Sequence, residues 1–267
     1  TAIDNWKSCF YPTNALSKPW SALPSSVGTS TYYKYTQTGA PETLDTQIDI
    51  VNRRTQFFVL KCAAVSLNNS VPQEQGLRVL DLGCGRGTDL WAYDDINRHA
   101  HHIEHLLGLE FNLDDLVTEQ NGCYAGYVDM QKNYPDSDTD KKKKRFPALF
   151  LQANCKEKLV LADGEVDNLA AVSSTSPLHQ QLLNYVRGNQ MSSHNLQKAT
   201  SSQMESFRDS FHADDRKRKQ FHLISAQMSL HHFATENLVC SLSRLLAENG
   251  VFVATLPCMY DKLWEKP

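Results

Sequence analysis

Short apolar runs alternate with stretches of helical spacing along most of the chain. Leu77–Leu82, His105–Glu110, Pro147–Ala153, Phe221–Gln227 and Val251–Leu256 are compact runs of Leu, Val, Ile and Phe bounded by breakers, which predicts five strands. Between them the period changes. From Thr43 to Leu67 the apolar positions Ile48, Val51, Phe58, Cys62 and Val65 keep helical spacing, so one or two helices are expected there, closed by Asn68, Asn69 and Pro72. Helix character also starts at Leu90 and runs through Trp91-Ala92-Tyr93. A further helix is expected over Leu113–Gln131, and Leu238, Leu242, Leu245 and Leu246 mark another, stopped by Asn249-Gly250. Strands alternating with helices predict an α/β fold whose mostly parallel sheet is flanked by helices and binds ligands at the carboxyl ends of its strands.

The remaining stretches lack a period. Residues 1–31 are rich in Ser, Thr and Pro and read as an irregular arm, with the ordered part beginning at Tyr32-Tyr33 and forming one domain over 32–267. Pro135 to Lys144 reads as a charged loop. The polar texture of 162–219 reads as an insertion with one helix near Leu178–Arg187. A length of 267 residues is enough for one large α/β domain with a real core.

Charge and cysteines narrow the class. The formal net charge of −3 gives no global pull toward nucleic acid, and the basic runs Lys141–Arg145 and Arg216–Lys219 read as solvated loops. Seven cysteines without a C-x-x-C pair point to reduced thiols in a cytosolic or nuclear protein. No run reaches transmembrane length, so no membrane partner is expected. A start at Thr1 is expected of a piece of a longer protein or of a processed one.

The chemistry concentrates after the first strand, where Gly83, Gly85 and Gly87 form G-x-G-x-G ahead of a helix. Strand, tight turn and helix at this spacing let a ligand lie directly against backbone N–H groups. A dinucleotide fingerprint would need glycine at Thr88, and a P-loop would need Gly-Lys-Ser/Thr, so neither fits. Preceded by Asp81 and followed by Asp89, the turn resembles the first motif of class I S-adenosylmethionine (AdoMet) methyltransferases. That resemblance implies that the glycines pass under the methionine part while nearby carboxylates favour its cationic groups. Glu110 ends the second strand 25 residues past Gly85, the place from which an acid holds a ribose diol.

Two tempting signals are set aside. His101-His102-Ile103-Glu104-His105 matches H-x-x-E-H, but a zinc peptidase needs that motif on a helix and here it runs into an apolar strand. Cys84 reads as a small packing residue, since no supporting base accompanies it.

With these residues placed, the chain resembles the mRNA cap (guanine-N7) methyltransferases over about residues 32–260. Val79 to Leu90 is similar to their V-L-D-L-G-C-G-K-G-G-D-L, Phe150 to Leu159 to F-x-x-A-D-x-x-K-E-L, Phe221 to His232 to F-D-x-x-S-x-Q-F-x-x-H-Y, and Asn249 to Pro257 to P-G-G-x-F-x-G-T-x-P. The cofactor set so implied is Lys61, Asp81, Gly83, Cys84, Gly85, Gly87, Glu110, Asn154, Cys155 and Gln227. Gln227 would sit at the methyl-transfer pocket, His231 and His232 would wall the guanine, and Arg86, in place of the family's Lys, would face the cap phosphates. The implied cofactor is AdoMet. The implied partners are 5′-capped RNA and other capping-enzyme domains or subunits, in the nucleus or, for a viral protein, the cytoplasm.

The chain departs from the family at four positions. Asn154 stands where the family has Asp, Phe57 where its helix has Asn, Thr88 where it has Gly, and His232 where it has Tyr. The family also continues past the fifth strand, so the resemblance implies a Rossmann-like class I methyltransferase fold lacking its last strands. Another class I methyltransferase and a non-catalytic methyltransferase-like module that binds RNA or a partner remain open as alternatives.

Overall fold

The structure is a computed structural model and describes residues 44–72, 74–132, 146–157, 159–160 and 220–256. The N-terminal arm, the charged loop, both basic runs and the expected insertion at 162–219 lie outside the described residues. The chain divides into two units, 1–55 and 56–267. Of the first, the described part is the beginning of helix α1 (Leu44–Ser66).

The second unit holds the sheet. Its strands are β1 (Leu77–Leu82), β2 (Ile103–Glu110), β3 (Ala148–Gln152), β4 (Phe221–Gln227) and β5 (Leu246–Thr255), in the order β3-β2-β1-β4-β5 with every pair parallel. This is the order of a Rossmann-like sheet, and its switch point falls between β1 and β4. Two apolar clusters cover the two faces because successive side chains of a strand point opposite ways. Leu77 and Val79 join Leu60, Ala63, Ala64 and Leu67 on one face, together with Tyr93 and Ile96 of α2 (Leu90–His99). Leu80 and Leu82 face the other way, onto Leu238 and Leu245 of α6 (Glu236–Leu245). In α1 the buried positions 60, 63 and 64 lie on one helical stripe, continued by Leu67 of the 3₁₀ turn that follows, and the segment Leu44–Ser66 is one continuous helix.

Two expected elements differ. The helix expected over Leu113–Gln131 is two, α3 (Leu113–Val117) and α4 (Cys123–Lys132). Thr118 leaves the helical region with ψ 124°, and Gly122 packs so tightly that a Cβ would lie 2.6 Å from the Thr118 carbonyl oxygen. Asn249-Gly250 does not end a helix either. Thr235 caps α6 by accepting from the Leu238 N–H, Leu246 is already extended, and Asn249-Gly250 forms a bulge inside β5. The register jumps from Phe221↔Leu246 to Leu223↔Val251, and Asn249 absorbs the kink at φ 60°.

Candidate functional site

At the carboxyl end of β1 the chain turns through Gly83 (φ 71°), Gly85 (φ 52°) and Gly87 (φ 77°). Gly83 is confined. A Cβ there would stand 2.6 Å from the Ser229 Cβ, because Ser229, just after β4, donates its hydroxyl to the Leu82 carbonyl at 2.8 Å. The loop after β4 is thereby latched to the glycine turn. Gly85 is the opposite case, since a Cβ there meets nothing within 4 Å. Room for a ligand lies above Gly85.

Four of the turn's amides, expected to face a ligand, are taken up within the protein. Gly83 and Cys84 both donate to the Leu109 carbonyl, at 2.7 and 3.1 Å, and Gly87 donates to the Cys84 carbonyl at 2.9 Å. The Gly85 N–H donates to Glu110 Oε2 at 2.9 Å, and Asn112 N–H donates to Glu110 Oε1 at 3.0 Å. Each Glu110 oxygen thus keeps acceptor capacity, as holding a diol requires.

Asp81 lies below the turn and is only 4% exposed. Tyr93 donates its hydroxyl to Ser225 Oγ at 3.0 Å, and Ser225 donates to Asp81 Oδ1 at 3.2 Å. Burial, and after it the charge of Asp89, holds the Asp81 carboxyl well above the usual carboxylate range. In the turn, the hydrogen bond with Cys123 and then burial push the Cys84 thiol well above its ordinary range. Burial raises Cys155 to about 12, with Glu110 adding to it. Neither sulfur is prepared for nucleophilic attack.

The other expected residues are distributed around this end of the sheet. Lys61 pairs with Asp95 at 2.9 Å, one helix away from the glycine turn, and lies over the Phe57 ring, which itself stacks on Trp91 at 5.3 Å. Arg86 is exposed and pairs with Asp115 at 2.8 Å. Asn154 follows β3, where it donates to Glu157 Oε1 at 3.0 Å and accepts from the Lys156 N–H at 3.1 Å. Gln227 ends β4 and is 6% exposed. Its Oε1 accepts from the Thr255 hydroxyl at 2.9 Å, while its buried Nε2 finds no partner among the described residues. His231 and His232 lie on α5 (Leu230–Phe233), exposed, with ring centroids 3.8 Å apart.

The turn, Glu110, Gln227 and the histidine pair therefore converge at the carboxyl ends of β1, β2 and β4, whereas Lys61 and Arg86 are engaged by carboxylates beside that crevice. Sequence reasoning missed Tyr93, Ser225, Ser229 and Thr255. His101 precedes β2 and His105 lies within it, so the H-x-x-E-H pair shares no helical turn; among the described residues no group of three His, Cys, Asp or Glu side chains could hold a metal. No described helix is long and apolar enough to cross a membrane.

No family model matches the chain, and no curated protein matches it. Among solved structures it is similar to the YcgJ protein of Bacillus subtilis, with a TM-score of 0.36 and 14% identity over 77% of this chain and 50% of that one. It is also similar to DesVI of Streptomyces venezuelae, with a TM-score of 0.31 and 13% identity over 79% of this chain and 56% of that one. The chain spans about half the length of these two structures. Its own strand order and parallel register make it a Rossmann-like α/β protein.

Proposed function

We propose that the chain is an AdoMet-dependent methyltransferase and that its substrate is N7 of the guanine cap of mRNA. The observation that carries the first part is the open space above Gly85 beside the Glu110 carboxylate, which accepts the Gly85 N–H. A ligand with ammonium and sulfonium charges suits such a surrounding. The residues present fit the cofactor: Glu110 has acceptor sites for its ribose, Gly85 leaves room for its chain, and Asn154 after β3 lies beyond Glu110 on the adenine side.

Bound there, AdoMet supplies an electrophilic methyl group. Guanine N7 offers a lone pair and no proton, so the chain's task is alignment, without a general base. Gln227, His231 and His232 border the crevice from the β4 side, where an amide and two imidazoles can stack on or hydrogen-bond a flat purine. Arg86 is the cation for the cap phosphates, once exchanged from Asp115. Capped RNA is the partner in this reading, with other capping-enzyme domains or subunits beside it, in the nucleus or, for a viral protein, the cytoplasm.

Calorimetric titration tests the cofactor. The chain binds AdoMet and not NAD, and a folded Gly85→Val variant, which fills the open space, loses that binding; retained affinity in the variant overturns the reading. Kinetics test the substrate. His231→Ala lowers kcat/KM for methylating GpppRNA by about tenfold or more with AdoMet affinity little changed. Normal methylation by that variant moves the reading to another class I substrate. Asn154, already engaged by Glu157 and Lys156 where the family has Asp, favours a second reading, a non-catalytic RNA- or partner-binding module. An absence of AdoMet binding heat in the unmodified chain selects it.

A further inference from the structure

Gln227 and Thr255 end neighbouring parallel strands, paired in register. Between them Met228 takes φ 56°, a left-handed value that a residue with a side chain rarely adopts. Its N–H donates to both oxygens of Thr255, the carbonyl at 2.9 Å and Oγ1 at 3.1 Å. With its oxygen accepting from Met228, the Thr255 hydroxyl directs its single proton onto Gln227 Oε1 at 2.9 Å. That bond decides which way the Gln227 amide faces. The carbonyl end is held toward β5, and the two N–H donors of Nε2 are left buried without a partner among the described residues. A buried amide kept in this state costs stability, which a ligand acceptor would recover.

From these contacts we infer that Thr255 is a positioning residue, fixing Gln227 so that Nε2 donates to an acceptor on the molecule that receives the methyl group, a heterocyclic carbonyl or ring nitrogen. This rests on the methyltransferase reading above. The side is set by the sheet, in which β4 flanks β1 opposite to β2. Glu110 ends β2 and takes the ribose side, so Gln227 and Thr255 fall on the side of the methyl acceptor.

The test uses the 267-residue chain and its Thr255→Val, Thr255→Ser and Gln227→Leu variants. Valine keeps the shape of threonine and removes the hydroxyl; serine returns it. The first readout needs no ligand: the ¹⁵N–¹H signals of the Gln227 side-chain amide, assigned by their loss in Gln227→Leu. They shift or broaden in Thr255→Val and return toward the original position in Thr255→Ser. The second is kinetic, with GpppRNA as substrate. Thr255→Val loses about tenfold in kcat/KM, with AdoMet affinity by calorimetry changed less than about twofold, and Thr255→Ser recovers most of the loss. Unchanged amide signals in Thr255→Val overturn the inference, and so do altered signals with unchanged kinetics. If the unmodified chain neither binds AdoMet nor methylates GpppRNA, the methyltransferase reading fails by itself, and the amide signals alone then decide whether Thr255 holds Gln227.

Discussion

Gly83 and Gly85 share a left-handed backbone but differ in what surrounds them, and alanine at each position separates the two costs. At either site alanine at positive φ costs about 1–2 kcal/mol. At Gly85 nothing lies within 4 Å of the new Cβ, so the cost ends there. At Gly83 the Cβ would stand 2.6 Å from the Ser229 Cβ and 2.9 Å from its Oγ. Relieving that overlap moves the loop after β4, an overpacking cost of about 1–3 kcal/mol. It also strains the Ser229 to Leu82 hydrogen bond, worth about 1 kcal/mol. Gly83→Ala should therefore destabilise by about 3–6 kcal/mol and Gly85→Ala by about 1–2 kcal/mol. At about 2–4 °C per kcal/mol for a domain of this size, the melting temperatures should fall by roughly 6–24 °C and 2–8 °C. Urea titration and thermal melting of the three proteins measure both. Equal losses at the two positions would refute the account of Gly83 as a contact between loops and leave backbone conformation as the whole explanation.

His222 carries a pH prediction. Its Nδ1 accepts from the Arg78 N–H at 3.1 Å and its Nε2 lies 3.0 Å from the Arg78 guanidinium, so an imidazolium would set donor against donor at both nitrogens. Burial first and Arg78 second lower its pKa from 6.5 to about 4. The folded value is the depressed one for a group that gains a proton. Its contribution is thus complete above about pH 6.5 and is lost as pH falls toward 4, by up to about 3 kcal/mol at 1.36 kcal/mol per pH unit. Urea midpoints between pH 7.5 and 4 measure the slope, and an identical slope in His222→Gln would assign it elsewhere. Tyr93→Phe removes the donor to the buried Ser225 hydroxyl and should cost about 1–2 kcal/mol in the same assay, an unchanged midpoint showing the hydroxyl dispensable.

How much of this was legible depended on sequence distance. β4 runs over Phe221–Gln227 as its apolar sequence indicates, and the acid that meets the glycine turn was findable because Glu110 lies 25 residues from Gly85 in one strand–turn–helix–strand unit. Asn249-Gly250 has the composition of a helix stop, and only the register of β5 on β4 turns it into a bulge. The same holds for the polar partners. Tyr93 and Ser225 are 132 positions apart and Gln227 and Thr255 28 apart, and nothing in their local sequence says that helix α2 packed on the sheet, or two parallel strands, will bring their hydroxyls and amide together. Lys61 shows the converse: its helix was readable, yet the ammonium is claimed by Asp95, a partner that depends on how α1 meets α2.

Where four amides of the glycine turn are directed decides what they can offer to a ligand. Loops of similar composition hold phosphate by aiming successive N–H groups outward as a positive concavity. Here the N–H groups of Gly83, Cys84, Gly85 and Gly87 all end on oxygens of the same protein, two on the Leu109 carbonyl and one on a carboxylate. An incoming pyrophosphate would find those donors spent and the Glu110 carboxylate in front of it. A cation would find the reverse. The hydrogen bonds that brace the turn against β2 thus leave these four amides unable to cradle a phosphate, without any change in the strand order.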